Sequence, residues 1–263
     1  MDLKLKDKHV LVMASSKGLG RAIALEFAKE GAAVFLTSRS VESLEQTAGE
    51  LKEESGNDNI RYHPCDMSRE EDISELFLKV REAFGVVDVL INNTGGPKAG
   101  GFADVEDADW IKAFQQNLLS YTRTVREVLP GMKENNWGRI INISSSSTKE
   151  VIDGLILSNT FRAGMVGLSK SLAREYASSN ILVNTVGPGR IETDRIIELD
   201  TVRAKKTGVT PEEVTENAKQ NIPIGRYGQP DEFARAVVFL ASGANTYLTG
   251  QSLVIDGGML KAL

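Results

Sequence analysis

One segment of the 263-residue chain has residue types suited to holding a pyrophosphate: Ala14-Ser15-Ser16-Lys17-Gly18-Leu19-Gly20. It lies between an apolar run, His9 to Met13, and a helical pattern, Arg21 to Glu30. Gly18 and Gly20 allow the backbone to approach phosphate closely, and the N–H groups opening the next helix add partial positive charge. A glycine pair alone is weak, but a strand before it and a helix after it make it informative. A second candidate group combines hydroxyls with a cation: the run Ser144 to Ser147, then Ser158 and Arg162 four residues apart. Aliphatic hydroxyls are weak acids, and a guanidinium with a pKa above about 12 relays no protons. A phenol four residues before an ammonium would be a better proton donor, because the ammonium lowers the phenol pKa from about 10. Tyr62, Tyr121, Tyr176, Tyr227 and Tyr247 are followed at that spacing by Asp66, Val125, Asn180, Asp231 and Gln251, so no such pair exists.

These groups need elements to position them. Apolar, β-branched runs at 9–14, 33–37, 60–63, 87–91, 138–144, 181–186 and 252–255 read as buried parallel strands. Helical patterns at 19–30, 41–54, 69–84, 107–134, 156–178 and 230–242 fill the intervals. The alternation predicts a single α/β domain over 1–263: a Rossmann-like, doubly wound, seven-stranded parallel sheet with helices on both faces. Gly31, Gly85 and Gly138 fall where helix C-caps and tight turns want them. The stretch 194–226 breaks the rhythm and reads either as a mobile helical lid over a substrate site or as a solvated insertion.

The strand at 33–37 ends in Thr37-Ser38-Arg39. An acid there would hold a ribose 2′-hydroxyl, whereas an arginine accommodates a 2′-phosphate. With Arg39 and Lys17 as two cations near that pocket, NADP(H) is expected over NAD(H). The alternative is that both cations lie on a solvated rim.

Further motifs follow in order. They are Cys65-Asp66-Met67, Asn92-Asn93-Thr94-Gly95, Asn117 within Phe114 to Leu118, and Gly138 to Ser145. Then come Asn184 to Thr193, with Pro188-Gly189, and the closing run Tyr247 to Gly258. Taken together these resemble the short-chain dehydrogenase/reductase family over nearly the whole length, and the overall pattern is similar to 3-oxoacyl carrier-protein reductases. The resemblance implies cofactor contacts from Ser15, Lys17, Gly18, Leu19, Gly20 and Arg39, with Asp66 at the adenine edge beside Met67. It further implies contacts from Asn93, Gly95, Arg162, Pro188, Gly189 and Thr193. It places Asn117 and Ser145 in the catalytic set, with Ser144 as a one-residue alternative. Two departures stand out. Ala14 occupies a position where the family usually has glycine, and the family's tyrosine and lysine fall on Ser158 and Arg162.

Three readings are open. The first is an NADP(H)-dependent oxidoreductase with a rebuilt proton path using Ser145, Ser158 and water near Arg162, or Tyr121, one turn beyond Asn117. The second is a catalytically weak or inactive NADP(H)-binding sensor or partner subunit. The third is non-redox carbonyl or lyase chemistry. Losing a positioned acid costs about 10²- to 10⁴-fold, so poor activity on an ordinary ketone is expected. Arg190, Arg195 and Lys98 would suit an anionic small-molecule substrate, unless the arginines pair with Glu192, Asp194 or Glu198. Lys149, Glu150 and Asp153 line the same cleft or form a solvated loop.

A formal net charge of -5 provides no basic footprint for nucleic acid, and no apolar run approaches the roughly 18 residues of a membrane span. The charged N-terminus lacks the apolar stretch of a secretory signal, and the single Cys65 closes no internal disulfide, which suits the cytoplasm. His9 and His63 have no metal-ligand spacing, and no Gly-x-Ser-x-Gly is present. Small and apolar residues on several faces of 107–134 and 156–178, including Ala163, Gly164 and Gly167, suit burial against another copy, as a dimer or tetramer.

Overall fold

The seven apolar runs form one parallel sheet: β1 (His9–Val12), β2 (Ala33–Ser38), β3 (Ile60–Pro64), β4 (Val89–Asn92), β5 (Gly138–Ile143), β6 (Ile181–Pro188) and β7 (Ser252–Ile255). The computed structural model describes residues 1–262. Strand order is β3-β2-β1-β4-β5-β6-β7, so the winding reverses between β1 and β4. Crossover helices cover both faces: α1 (Gly18–Lys29), α2 (Val41–Ser55), α3 (Glu70–Phe84), α4 (Asp107–Phe114), α5 (Ser120–Glu134), α6 (Ile156–Tyr176), α7 (Asp194–Thr207), α8 (Pro211–Gln220) and α9 (Pro230–Leu240).

Because successive strand side chains leave opposite faces, continuous apolar strands feed two cores. Val10, Val12, Ile141 and Ile143 pack with Phe27 of α1, Leu44 of α2 and Phe233 of α9. Leu11, Met13, Ile140 and Val183 pack with Phe77 of α3, Val128 of α5 and Met165 of α6. Each such side chain removed from water contributes about 1.5–3 kcal/mol, which holds the helices against the sheet. The doubly wound fold expected from the sequence is therefore observed. Its crevice opens at the carboxyl ends of β1 and β4, where ligands of such sheets bind.

Two local features, the π turn at Asn117 and the place of Gly138, differ from the sequence reading. The helix expected over 107–134 is interrupted by a π turn, Gln115–Leu119, which carries Asn117. The stretch 194–226 holds α7 and α8, the latter opened by Thr210 and Glu213 capping each other's backbone N–H. Ala218, Ile222 and Tyr227 give this stretch a small core of its own, against Ile196 and Met259. Gly138 opens β5 rather than capping a helix: a Cβ there would stand 2.5 Å from the Met132 sulfur, so packing excludes a side chain. Among the described residues no helix is long and apolar enough to cross a membrane.

Candidate active site

The loop after β1 is held from three sides. The buried Ser15 hydroxyl donates to the Val12 carbonyl at 2.8 Å and accepts the Thr37 N–H at 3.0 Å, tying β1 to β2. That side chain is committed to the scaffold rather than to the loop's mouth. Ala14 has φ +48°, a left-handed conformation that glycine adopts without penalty. Its carbonyl accepts from Asn93 Nδ2 at 3.2 Å, and a Cβ on Gly20 would lie only 2.2 Å from it. Gly20 therefore lets the first turn of α1 close onto the loop, with Gly18 at φ +57° making the bend and Leu19 packing against the core. Lys17 provides no side-chain cap to α1, so the helix's first N–H groups face the crevice without one.

Lys17 does not lie idle on the rim. Its Nζ reaches Asp194 Oδ2 at 2.8 Å, from the loop to the first residue of α7, with both side chains largely exposed. The bond and charge of Lys17 hold the Asp194 carboxyl below its ordinary range. Thr193, the N-cap of α7, stands close to Gly18 across the same gap.

At the end of β2, Thr37 Oγ1 and Ser38 Oγ are buried without a hydrogen-bond partner, and the exposed Arg39 follows. Arg39 shares a cleft with His63, Pro64 and Asp66. Asp66 Oδ1 accepts from the Ser68 N–H at 2.9 Å and the Ser68 hydroxyl at 2.7 Å. Burial works to raise the Asp66 pKa, but the Ser68 bonds and the charges of Arg39 and Arg69 bring it below the usual value. Met67 belongs to a core, so only its backbone is free to meet a ligand. Buried Cys65 has its thiol pushed up to about 12, by burial first and then by Asp72, Asp66 and Glu75, so it is no nucleophile.

The hydroxyl cluster sits at the end of β5. Ser145 caps the short turn Ser146–Thr148 by accepting the Ser147 N–H at 3.1 Å, which leaves its own proton to donate. Ser144 Oγ and Ser147 Oγ are buried and unpartnered. Ser158 and Arg162 follow each other by one turn on α6, 9% and 4% exposed. Arg162 Nη1 donates to the Ile143 carbonyl at 2.8 Å and to the Tyr121 hydroxyl at 3.4 Å. Tyr121 is fully buried and gives its own proton to the same carbonyl at 3.1 Å, so it has none for a substrate. Asn117 Nδ2 donates to Thr94 Oγ1 at 2.8 Å and the Gly95 carbonyl at 2.9 Å, fixing the π turn to the loop after β4. Its Oδ1 is buried and unpaired.

The cations offered as substrate anchors have other partners. Arg190 meets Asp200 at 2.6 Å, with the Tyr227 hydroxyl between them at 3.0 and 2.7 Å. Arg195 pairs with Glu198 at 2.9 Å and donates to the Pro97 carbonyl at 3.1 Å, its guanidinium lying over Gly96. Lys98 meets Asp109 at 2.7 Å. Lys149, Glu150 and Asp153 are exposed. Pro188 ends β6, and Gly189 donates to the Ile255 carbonyl at 2.9 Å, where a Cβ would collide with Asp256. Sequence reasoning missed the orphaned Thr37 and Ser38 hydroxyls and the Ile143 carbonyl as anchor of Arg162. It also missed Asp194 as the partner of Lys17. The neighbouring Arg39 signalled the first of these; nothing in the sequence signalled the others.

Known proteins resemble this chain over its whole length. A family model described as enoyl-(acyl carrier protein) reductase matches residues 13–260. The 3-oxoacyl-[acyl-carrier-protein] reductase of Aquifex aeolicus is 36% identical over 261 residues, covering 98% of this chain and all of that one. The NADPH-dependent reductase BacG of Bacillus subtilis is 30% identical, covering 98% of this chain and all of its own length. Among solved structures, L-sorbose reductase of Gluconobacter frateurii, complexed with NADPH and L-sorbose, superposes with a TM-score of 0.94 at 32% identity, each chain fully covered.

Proposed function

The chain belongs to the short-chain dehydrogenase/reductase family, and on that premise we propose that it is an NADP(H)-dependent oxidoreductase with a rebuilt proton path. The single observation that carries this reading is an intact dinucleotide cradle beside an altered donor site. Gly18, Gly20 and the uncapped amides of α1 fit a pyrophosphate. The unpaired hydroxyls of Thr37 and Ser38 fit a ribose, and Arg39 beside them fits a 2′-phosphate. When bound, the dinucleotide supplies or accepts a hydride.

Around that hydride the residues have separate tasks. Ser145, whose proton is free, and Ser158 orient the substrate oxygen; Arg162 stabilises negative charge there; Asn117 holds the π turn in place. None of these groups is a tuned acid at neutral pH, so the proton comes from water reaching the site. In this reading α7 and α8 act as the substrate lid. Lys17–Asp194 and Arg195 over Gly96 are its latches, and the buried Arg190–Asp200–Tyr227 cluster is its hinge anchor. The protein works in the cytoplasm as a dimer or tetramer. The exposed Ile111 and Phe114 of α4 and the exposed Gly164 and Gly167 of α6 support pairing with another copy.

Fluorescence titration with NADPH and NADH tests the cofactor assignment. NADPH is expected to bind about tenfold or more tightly, and Arg39→Ala to remove the preference, because a charged hydrogen bond contributes about 1.5–3 kcal/mol. Equal affinity for both dinucleotides, unchanged in the variant, would contradict the assignment.

A further inference from the structure

The start of α7 touches both walls of the crevice through three consecutive residues. Thr193, its N-cap, stands over the glycine loop, where its methyl carbon would lie 3.8 Å from a Cβ on Gly18. Asp194 reaches Lys17 of the same loop at 2.8 Å. Arg195 turns the other way, donating to the Pro97 carbonyl at 3.1 Å and lying over Gly96 in the loop after β4. These residues therefore cross the mouth of the dinucleotide cradle from the β1 side to the β4 side. Among the described residues Lys17–Asp194 is the only ion pair that joins α7 to the loop after β1. Both side chains are largely exposed, and exposed pairs contribute little, so each partner is readily given up for a better one. For an ammonium, a dianionic phosphate is a better partner than a single carboxylate. The end of β2 is furnished for such a phosphate by the unpaired hydroxyls of Thr37 and Ser38 and by Arg39 after them.

We propose that Asp194 and a dinucleotide 2′-phosphate are alternative partners of Lys17, which makes Asp194 a specificity-determining residue that links the choice of dinucleotide to the substrate lid. The assignment rests on the oxidoreductase reading above. When Lys17 turns to the phosphate, Asp194 is released and the first turn of α7 keeps only its Arg195 side. A dinucleotide without that phosphate leaves both sides fastened. The Asp194 carboxylate also opposes phosphate binding, because Lys17 must leave it and its negative charge stays nearby. A surface ion pair without such a role would answer to no ligand. This one begins at the residue before Gly18 and ends at the residue after Thr193, both at the crevice.

Calorimetric titration of the full chain with adenosine 2′,5′-bisphosphate and with adenosine 5′-monophosphate isolates the 2′-phosphate. Asp194→Asn should tighten the bisphosphate by about threefold, the worth of an exposed ion pair, while the monophosphate changes less than about twofold. Limited trypsin digestion reads the lid, since Arg203, Lys205 and Lys206 lie exposed on α7 and cleavage there needs the helix to open. Saturating bisphosphate should speed cleavage at these three sites by about threefold or more in the unaltered protein, and monophosphate should not. In Asp194→Asn cleavage should be fast already and indifferent to either probe. Bisphosphate affinity that is unchanged or weaker in Asp194→Asn, an equal gain for both probes, or cleavage that bisphosphate leaves unchanged or slows would overturn the proposal. The digestion of the unaltered protein decides the matter even where the variant fails to fold. Failure of NADPH and of both probes to bind would overturn the oxidoreductase reading instead, and is read separately.

Discussion

Tyr121 and Arg162 share one acceptor: the phenol donates to the Ile143 carbonyl at 3.1 Å and the guanidinium Nη1 donates to it at 2.8 Å, from helices on the same face of the sheet. The carbonyl belongs to the last residue of β5, just before the serine cluster. A tyrosine so committed positions the arginine and takes no part in proton delivery.

Tyr121→Phe tests that division of labour. Removing one net hydrogen bond should lower stability by about 1 kcal/mol, read by denaturant unfolding, because Arg162 still occupies the carbonyl. Whatever turnover the unaltered protein has should persist within about threefold, since only a catalytic proton donor carries a factor near 10². Loss of turnover with stability intact would make Tyr121 the donor after all.

The glycine-loop departure has a thermodynamic signature. Ala14 at φ +48° carries the Cβ penalty of the left-handed region, about 1 kcal/mol. Ala14→Gly relieves it but widens the unfolded ensemble by a comparable though smaller amount. The expected result is a gain of about 0.5 kcal/mol, measured by thermal unfolding, together with NADPH affinity equal to or better than that of the unaltered chain. A clear loss of stability would mean the methyl group packs favourably where the geometry shows only strain.

The buried thiol gives a pH dependence whose sign is fixed. In the unfolded chain Cys65 ionises at its ordinary value of 9.0; in the folded chain it does so at about 12. Between those values the unfolded state binds fewer protons, so the stabilising contribution is complete below pH 9 and is lost as pH rises toward 12. Cys65→Ala should therefore show a shallower decline of unfolding free energy across that window. Parallel curves for the two proteins would show that the thiol is not the group responsible. Alkylation at pH 8 checks burial independently, since native protein should resist iodoacetamide.

Much of this was legible in sequence because of how its physics is written. Parallel strands buried on both faces need unbroken apolar runs, and Val10 to Met13 or Val89 to Ile91 announce themselves that way. Gly18 and Gly20 were readable because close approach to Ala14 and the loop bend leave few alternatives. What stayed hidden depends on partners distant in the chain or on the backbone itself. Lys17 finds Asp194 177 positions away, and Arg162 finds Tyr121 41 positions away. The Ile143 carbonyl has no side-chain signature. The π turn around Asn117 follows the same apolar spacing as an α-helix would, and the bounds of α7 and α8 within the stretch 194–226 stayed hidden because each buries only two residues. Arg195 pairs with Glu198, one of the partners the sequence offered, three residues on, whereas Asp200 for Arg190 and Asp109 for Lys98 could not be paired from sequence.

The central claim is that the cradle is kept while the tuned proton donor is gone, and steady-state NADPH oxidation with a neutral ketone tests it most directly. The unaltered protein should be slow, and the double substitution Ser158→Tyr with Arg162→Lys should raise turnover by about 10²-fold or more, the share a positioned acid supplies. Fast turnover by the unaltered protein that is abolished by Ser158→Ala, with no gain from the double substitution, would contradict the account.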